Sequence, residues 1–385
     1  MRFLKKNMPS YTLCLSKTVR ALFLNTGLLV LGFGAQTAVF AQKKDMPVDP
    51  SGYIKKYDAS FTGIGPQVYI PETPKSKEEL LKESYSKKFS FKDSIARELD
   101  FQKLLQEFKS TSNAGSIANL LSKLPISKAE WLKLIEQETQ AENYDTAYAL
   151  LNAYAIQALR EKSIPEALTL LNNALAHAKQ QQQPADVANI QYNLGNIYFY
   201  LKDLNNAGAL QEANYKMAVE QRSLVEQATS LVKIALIQAA DKDYNSAENN
   251  IIRKAIPLLN KAKAYEQKVA AWLALAQIYQ WQNKHTEAQW FLIQARDLAV
   301  SKGLTADLAE MEYMLAFSKL VQKNYSVAQK EFISADKLAK LEKNKLLQLA
   351  ILDQLGQAYM ENNELPKAAD VLDSYRSLRL ELFKN

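Results

Sequence analysis

The chain has 385 residues, 48% of them hydrophobic, and a formal net charge of +7 from 48 basic and 41 acidic side chains. Glycine and proline number only 11 each and histidine two, which argues against a strand-rich fold and against histidine-based metal or relay chemistry. The positive excess is no nucleic-acid signal: five basic residues and no acidic one lie within residues 1–41, leaving 43 basic against 41 acidic residues, a net of +2.

Residues 1–41 read as a signal peptide. Lys5, Lys6, Lys17 and Arg20 form a basic stretch, an apolar run follows from Ala21 to Ala35, and Val39 and Ala41 supply small residues for cleavage between Ala41 and Gln42. Gly27, Gly32, Gly34 and interspersed polar residues dilute the run below the ~20 strongly apolar residues of a spanning helix. The expectation is a periplasmic or secreted protein with no membrane insertion after cleavage; the alternative is an inner-membrane anchor through residues 21–41. Cys14 precedes the apolar run, so lipoprotein processing is excluded, and the mature chain would contain no cysteine and no disulfide.

Residues 42–75 have the proline and glycine spacing of a flexible linker, although Tyr53, Ile54, Tyr57, Phe61 and Tyr69 would also suit an extended segment that docks. Residues 76–141 form an N-terminal helical cap over the first repeat. Within it a helical pattern runs from about Ser76 to Phe108 and is interrupted at Ser110–Ser116. A further helix then starts at Ser127, with Glu130 completing a capping box and Ile126 and Trp131 spaced as a hydrophobic staple.

From residue 142 to 385 three ladders of small or matching residues coincide. Ala167, Ala207, Ala247, Ala288, Ala328 and Ala368 are spaced by 40, 40, 41, 40 and 40 residues. Twelve residues before each stands Ala155, Gly195, Ala235, Ala276, Ala316 or Gly356; three before each stands Ile164, Leu204, Tyr244, His285, Tyr325 or Leu365. A fixed period of this length means stacked units, each too small to bury its own apolar face, and small residues belong where two helices cross closely. Six helix–turn–helix units are predicted, at about 144–182, 183–222, 223–263, 264–303, 304–343 and 344–385. Ser163 and Glu166 are placed for a second capping box around Pro165, and Pro366 takes the matching helix start. Pro257 falls inside the second helix of the third unit and is expected to end or kink it near Ala255, beside the one 41-residue interval.

Trp272, Leu275, Ala276 and Tyr279, followed by Ala288, Leu292 and Ala295, resemble the tetratricopeptide repeat, as do Leu194, Gly195, Tyr198 and Ala207, and Leu355, Gly356, Tyr359 and Ala368. Gln211, Asn214, Lys254 and Lys319 depart from the pattern, and 40 residues exceeds the usual repeat of about 34. The resemblance implies an all-α, right-handed α-α superhelix, with the longer helices of exported bacterial members.

No catalytic, metal or cofactor motif stands out: there is no glycine-rich phosphate loop and no nucleophile elbow. His285 is expected to pack at a turn and His177 to sit near a helix end. The resemblance places the first helix of each unit on a concave groove, which nominates Tyr192, Asn193, Asn196, Tyr200, Lys233, Trp281, Tyr313 and Phe317 as ligand-binding residues. Rings with amides between them suit an extended peptide; Asn193, Asn196 and Lys233 alone are too few for a carboxylate clamp. The function read from this is a non-catalytic, peptide- or protein-binding scaffold in an exported assembly. The alternatives are a ligand-responsive regulatory array and an enzyme-associated helical domain.

Overall fold

The computed structural model describes residues 74–88, 92–118 and 127–383. The leader, its cleavage site, residues 42–73 and Ile126 of the expected staple lie outside them. Helix α1 (Lys77–Lys88) belongs to one compact unit. Its start is boxed: Glu79 N–H donates to Ser76 Oγ at 3.2 Å and Ser76 N–H to Glu79 Oε2 at 2.7 Å.

The second unit begins at Phe91. It contains α2 (Lys92–Gln106), a 3-10 helix (Ser112–Ala118), α3 (Lys128–Gln140) and then the array: α4 (Tyr144–Arg160), α5 (Ile164–Gln180), α6 (Pro184–Tyr200), α7 (Leu204–Glu220) and α8 (Leu224–Ala240). The third unit's second helix is composite: α9 (Tyr244–Asn249), a π-helical stretch (Asn250–Ala255) and α10 (Ile256–Ala262). There follow α11 (Tyr265–Trp281), α12 (His285–Ser301), α13 (Leu308–Val321), α14 (Tyr325–Leu341), α15 (Lys345–Glu361) and α16 (Leu365–Leu382). Each of these helices packs on its neighbours in chain order, and no strand occurs among the described residues.

The true period is half of 40. A residue with φ between 52° and 69° recurs every 20 positions from Glu142 through Lys162, Gln182, Lys202, Arg222 and Lys242, then resumes at Lys263 after one 21-residue step. At each such turn the helix closes on itself. Lys162 N–H reaches Leu159 O and Ser163 N–H reaches Ala158 O, both at 2.8 Å, the paired bonds of a Schellman ending. Ser163 is at once the end of this motif and the N-cap of α5. Most helices of the array have 17 residues and each turn three, which gives 20, and 40 per pair. The lengthened repeat is therefore longer helices on a tight turn, not longer loops.

This fusion corrects one expectation. Ser127 and Glu130 form the full capping box at the start of α3, whereas Ser163 makes no side-chain cap bond. Its backbone N–H, which Glu166 would need to accept, is already given to Ala158 O. Glu166 accepts from the Ser163 hydroxyl at 3.2 Å and from Tyr154 Oη at 2.9 Å, and it pairs with Lys128. Pro257 is likewise accommodated without breaking its helix. A π-helical stretch, Asn250–Ala255, lies just before it and takes up the extra residue of the 41-residue interval.

The alanine ladder is the seam of the core: Ala167, Ala207, Ala247, Ala288, Ala328 and Ala368 are all fully buried, as are Leu171, Ile251, Leu292 and Phe332 one turn on. Gln211 occupies the same register in the second unit. It is 1% exposed, and neither its Nε2 nor its Oε1 has a hydrogen-bond partner. Gly195 makes room for it, since a Cβ there would stand 2.7 Å from Gln211 Nε2. An unpaired buried amide costs stability that a leucine would not. Gln211→Leu is expected to stabilise the protein by about 1–3 kcal/mol in denaturant unfolding; an unchanged midpoint would mean that the amide is satisfied by water.

The expected cap of residues 76–141 divides. Helix α3 does pack beside the first unit, with Trp131 stacked on Tyr154 at 5.2 Å. The 3-10 helix Ser112–Ala118 also lies on α4 of that unit, whereas α2 reaches further units, as described next.

Candidate binding groove and its occupant

Helix α2 touches α4, α6 and α15, the first helices of units one, two and six. Eight helix-to-helix steps separate α6 from α15 along the chain. A helix of 15 residues is only about 22 Å long. One short helix can reach both only because the array curls round it, with the first helices facing inward. The first helices of units one, two and six thus face a common groove, and the chain's own residues 92–118 lie in it.

Three apolar side chains at helical spacing, Phe101, Leu104 and Phe108, are 7%, 5% and 3% exposed and anchor this stretch. Phe101 packs on Tyr200 with ring centroids 5.5 Å apart, and Arg97 Nε donates to Tyr200 Oη at 3.3 Å. Toward the other end of the array, Lys103 Nζ lies 3.2 Å from Glu310 and Gln102 Nε2 lies 3.3 Å from Asn344 Oδ1. The Lys103–Glu310 pair, with side chains 44% and 37% exposed, contributes little.

After α2 the chain leaves the helix, and the groove reads its main chain up to the 3-10 helix at Ser112. Lys109 N–H donates to Asn193 Oδ1 at 2.7 Å, and Asn193 Nδ2 returns a bond to Lys109 O at 2.8 Å. Asn152 Nδ2 adds a second bond to the same carbonyl at 3.2 Å, and Asn152 Oδ1 accepts from Asn193 Nδ2 at 3.1 Å. Asn189 Nδ2 takes Ser110 O at 3.1 Å. Asp186, fully buried, accepts from Ser112 N–H at 2.6 Å, Ser112 Oγ at 2.8 Å and Tyr148 Oη at 2.7 Å.

Side chains are read at two further points. Glu107 Oε2 accepts from Lys233 Nζ at 2.5 Å and from Asn196 Nδ2 at 3.4 Å. Burial alone would raise the Glu107 pKa, but Lys233 and then Lys103 outweigh it and hold the carboxyl below its ordinary value. Burial would likewise lower Lys233, yet Glu107 and Tyr192 raise it. Lys109 Nζ and Lys233 Nζ stand over the Tyr192 ring, 4.4 Å and 5.6 Å from its centroid.

Of the eight nominated residues, Tyr192, Asn193, Asn196, Tyr200 and Lys233 thus converge on residues 97–112. Trp281 stands apart at the end of α11, 39% exposed. Tyr313 packs toward Phe332 at 6.1 Å between ring centroids, and burial raises its hydroxyl pKa. Phe317 meets the His285 ring edge-on at 6.2 Å. His285 itself is buried at the first position of α12, and desolvation lowers its pKa. Asn152, Tyr148, Asp186 and Glu107 were not nominated. Asp186 sits in the first turn after Pro184, where an acid reads as an ordinary helix start.

Elsewhere a cleft of about 230 Å³ opens beside the π-helical turn, but its Asn250 already bonds Gln238 and Lys254. Among the described residues no group of three or more His, Cys, Asp or Glu side chains could hold a metal ion, and no helix is long and apolar enough to cross a membrane.

No protein-family model matches the chain, and comparison with curated proteins finds no match. Solved structures do resemble it. A signal transduction ATPase with a tetratricopeptide repeat sensor from Pyrococcus horikoshii is 13% identical over 79% of this chain and 44% of that one, with a TM-score of 0.52. A Rap protein complexed with competence and sporulation factor is 18% identical over 66% and 76%, with a TM-score of 0.49. Kinesin-light-chain repeats from Podosopora anserina are 17% identical over 51% and 96%, with a TM-score of 0.42. At such identities the likeness is one of fold, and the sensor-bearing ATPase carries it: residues 144–382 form an all-α, tetratricopeptide-like solenoid.

Proposed function

We propose that this solenoid is a non-catalytic scaffold that holds a protein or peptide partner in its groove, within an exported assembly. The observation supporting this reading is the pairing of Asn193 with both the N–H and the C=O of Lys109. A side chain bonded to both polar groups of one residue treats the occupant as generic extended polypeptide. The leader pattern of residues 1–41 supports export, and N-terminal sequencing of protein from its native host tests it. A chain starting near Gln42 is expected; Met1 retained in a membrane fraction would favour the anchor.

Pull-down from the exported fraction identifies the partner, and two variants locate it. Trp281 is exposed, so Trp281→Ala should weaken partner binding by about 1–3 kcal/mol while melting stays near wild type. Tyr200→Ala should lower both, because Tyr200 also supports Phe101. Unchanged affinity in both, with folding intact, would move the contact to the outer face. There Ile252, Ile293 and Ile333 hold one register across three units, 40%, 38% and 39% exposed.

A ligand-responsive array is the second reading, and one observation favours it. Helix α2 ties the second unit to the last, so displacing it frees the pitch of the superhelix. An increase in radius of gyration on partner binding would distinguish it from a rigid scaffold.

A further inference from the structure

The residues in the groove are bound as a ligand is bound, and their contacts separate what any polypeptide supplies from what only some sequences do. The bonds of Asn152, Asn189 and Asn193 fall on main chain and are blind to sequence. Three contacts select side chains: Lys233 and Asn196 on the Glu107 carboxylate, the apolar seat of Phe108, and Asp186 on the Ser112 hydroxyl.

We propose that residues 101–112 are a built-in competitor, and that the groove's external ligand is an extended stretch of a partner protein with the same three features. These are a carboxylate side chain, a large apolar residue immediately after it, and a small hydroxyl residue four positions further on. This rests on the reading of the groove as a polypeptide-binding surface.

The energetics allow exchange. Once the occupant leaves, the groove's polar side chains regain water, so displacement loses only the net value of each bond and not its full strength in a dry site. A competitor bound from outside makes the same bonds and restores them. The tethered segment has the advantage of a high effective concentration, in the millimolar range for a short connection. A partner therefore succeeds when it is abundant, or when it adds contacts beyond residues 101–112. Mild acid is no substitute for a partner. The Glu107 carboxyl is held below its ordinary value, so its pair with Lys233 persists through the usual carboxylate range and is lost only as pH falls below it.

The test uses an isotope-labelled, fluorescent peptide with the sequence of residues 99–114 and the full chain carrying Phe101→Ala, Leu104→Ala and Phe108→Ala. The triple variant should bind the peptide about 10- to 100-fold more tightly than the unaltered protein does. Glu107→Lys in the peptide, or Lys233→Ala added to the triple variant, should each reduce affinity about tenfold. Hydrogen exchange on the unaltered protein does not depend on that variant's folding: excess peptide should speed exchange at the chain's own Lys109 and Ser112 amides, and a scrambled peptide should not. Equal binding of the scrambled peptide, or exchange unmoved by the authentic one, overturns the proposal. A pulled-down partner that depends on Trp281 but not on Lys233 or Asn193 would also overturn it, while leaving the scaffold reading intact.

Discussion

Asp186→Ala is expected to cost about 2–4 kcal/mol of folding stability and to loosen residues 107–113 in the groove. Asp186 is fully buried and accepts three hydrogen bonds, two from Ser112 and one from Tyr148. Bonds to a charged acceptor are worth about 1.5–3 kcal/mol each, more than neutral ones. Ser112 can lift away and find water, which limits the loss on that side. Tyr148, 1% exposed, cannot, and its hydroxyl is left without this acceptor. Asp186→Asn should be milder, about 1 kcal/mol. Its oxygen can still face the Ser112 N–H, and its amide can donate to the two hydroxyls. Denaturant unfolding measures the first effect, and tryptic cleavage at Lys109 measures the second. An alanine variant with wild-type stability and unchanged cleavage would show that Asp186 anchors nothing.

Lys233→Ala should cost about 2–3 kcal/mol, because it strands the Glu107 carboxylate. The pair is mostly buried, with side chains 15% and 21% exposed, so the remaining carboxylate is only partly rescued by solvent. Combining Lys233→Met with Glu107→Leu should recover at least half of that loss, since well-packed apolar side chains can replace a buried pair at little net cost. The pH dependence has a definite sign. A depressed carboxyl contributes stability above the ordinary glutamate range that disappears on acidification, so wild type and the double variant should converge in stability toward pH 3. Additive single effects in the double-mutant cycle, or a gap independent of pH, would mean that the two side chains do not act on one another.

Much of this architecture is legible in the residues because solenoids are local. Each unit contacts its neighbours, so the spacing of Ala167, Ala207 and Ala247 reports the helix crossing directly. The 20-residue period of the turns was hidden, because its marker is a backbone angle. Lysine, asparagine, glutamine, arginine and glutamate all take the left-handed position here, and glycine takes it only at Gly303. The Ser163 box failed for the same reason: a sequence pattern cannot show that an N–H is already donated to the preceding helix.

The amino-acid sequence by itself determined the all-helical class, the six repeating pairs and the small-residue seams. Those follow from periodicity, which acts over one or two units; the inward placement of Tyr192, Asn193, Asn196, Tyr200 and Lys233 is what the tetratricopeptide resemblance implied. What occupies the groove was decided only by the tertiary structure. Residues 101–112 meet partners 43 to 242 positions away, such as Asn152 at Lys109 and Asn344 at Gln102. No local pattern encodes that meeting, because it depends on the accumulated curl of six stacked pairs that brings the second and last units to one short helix.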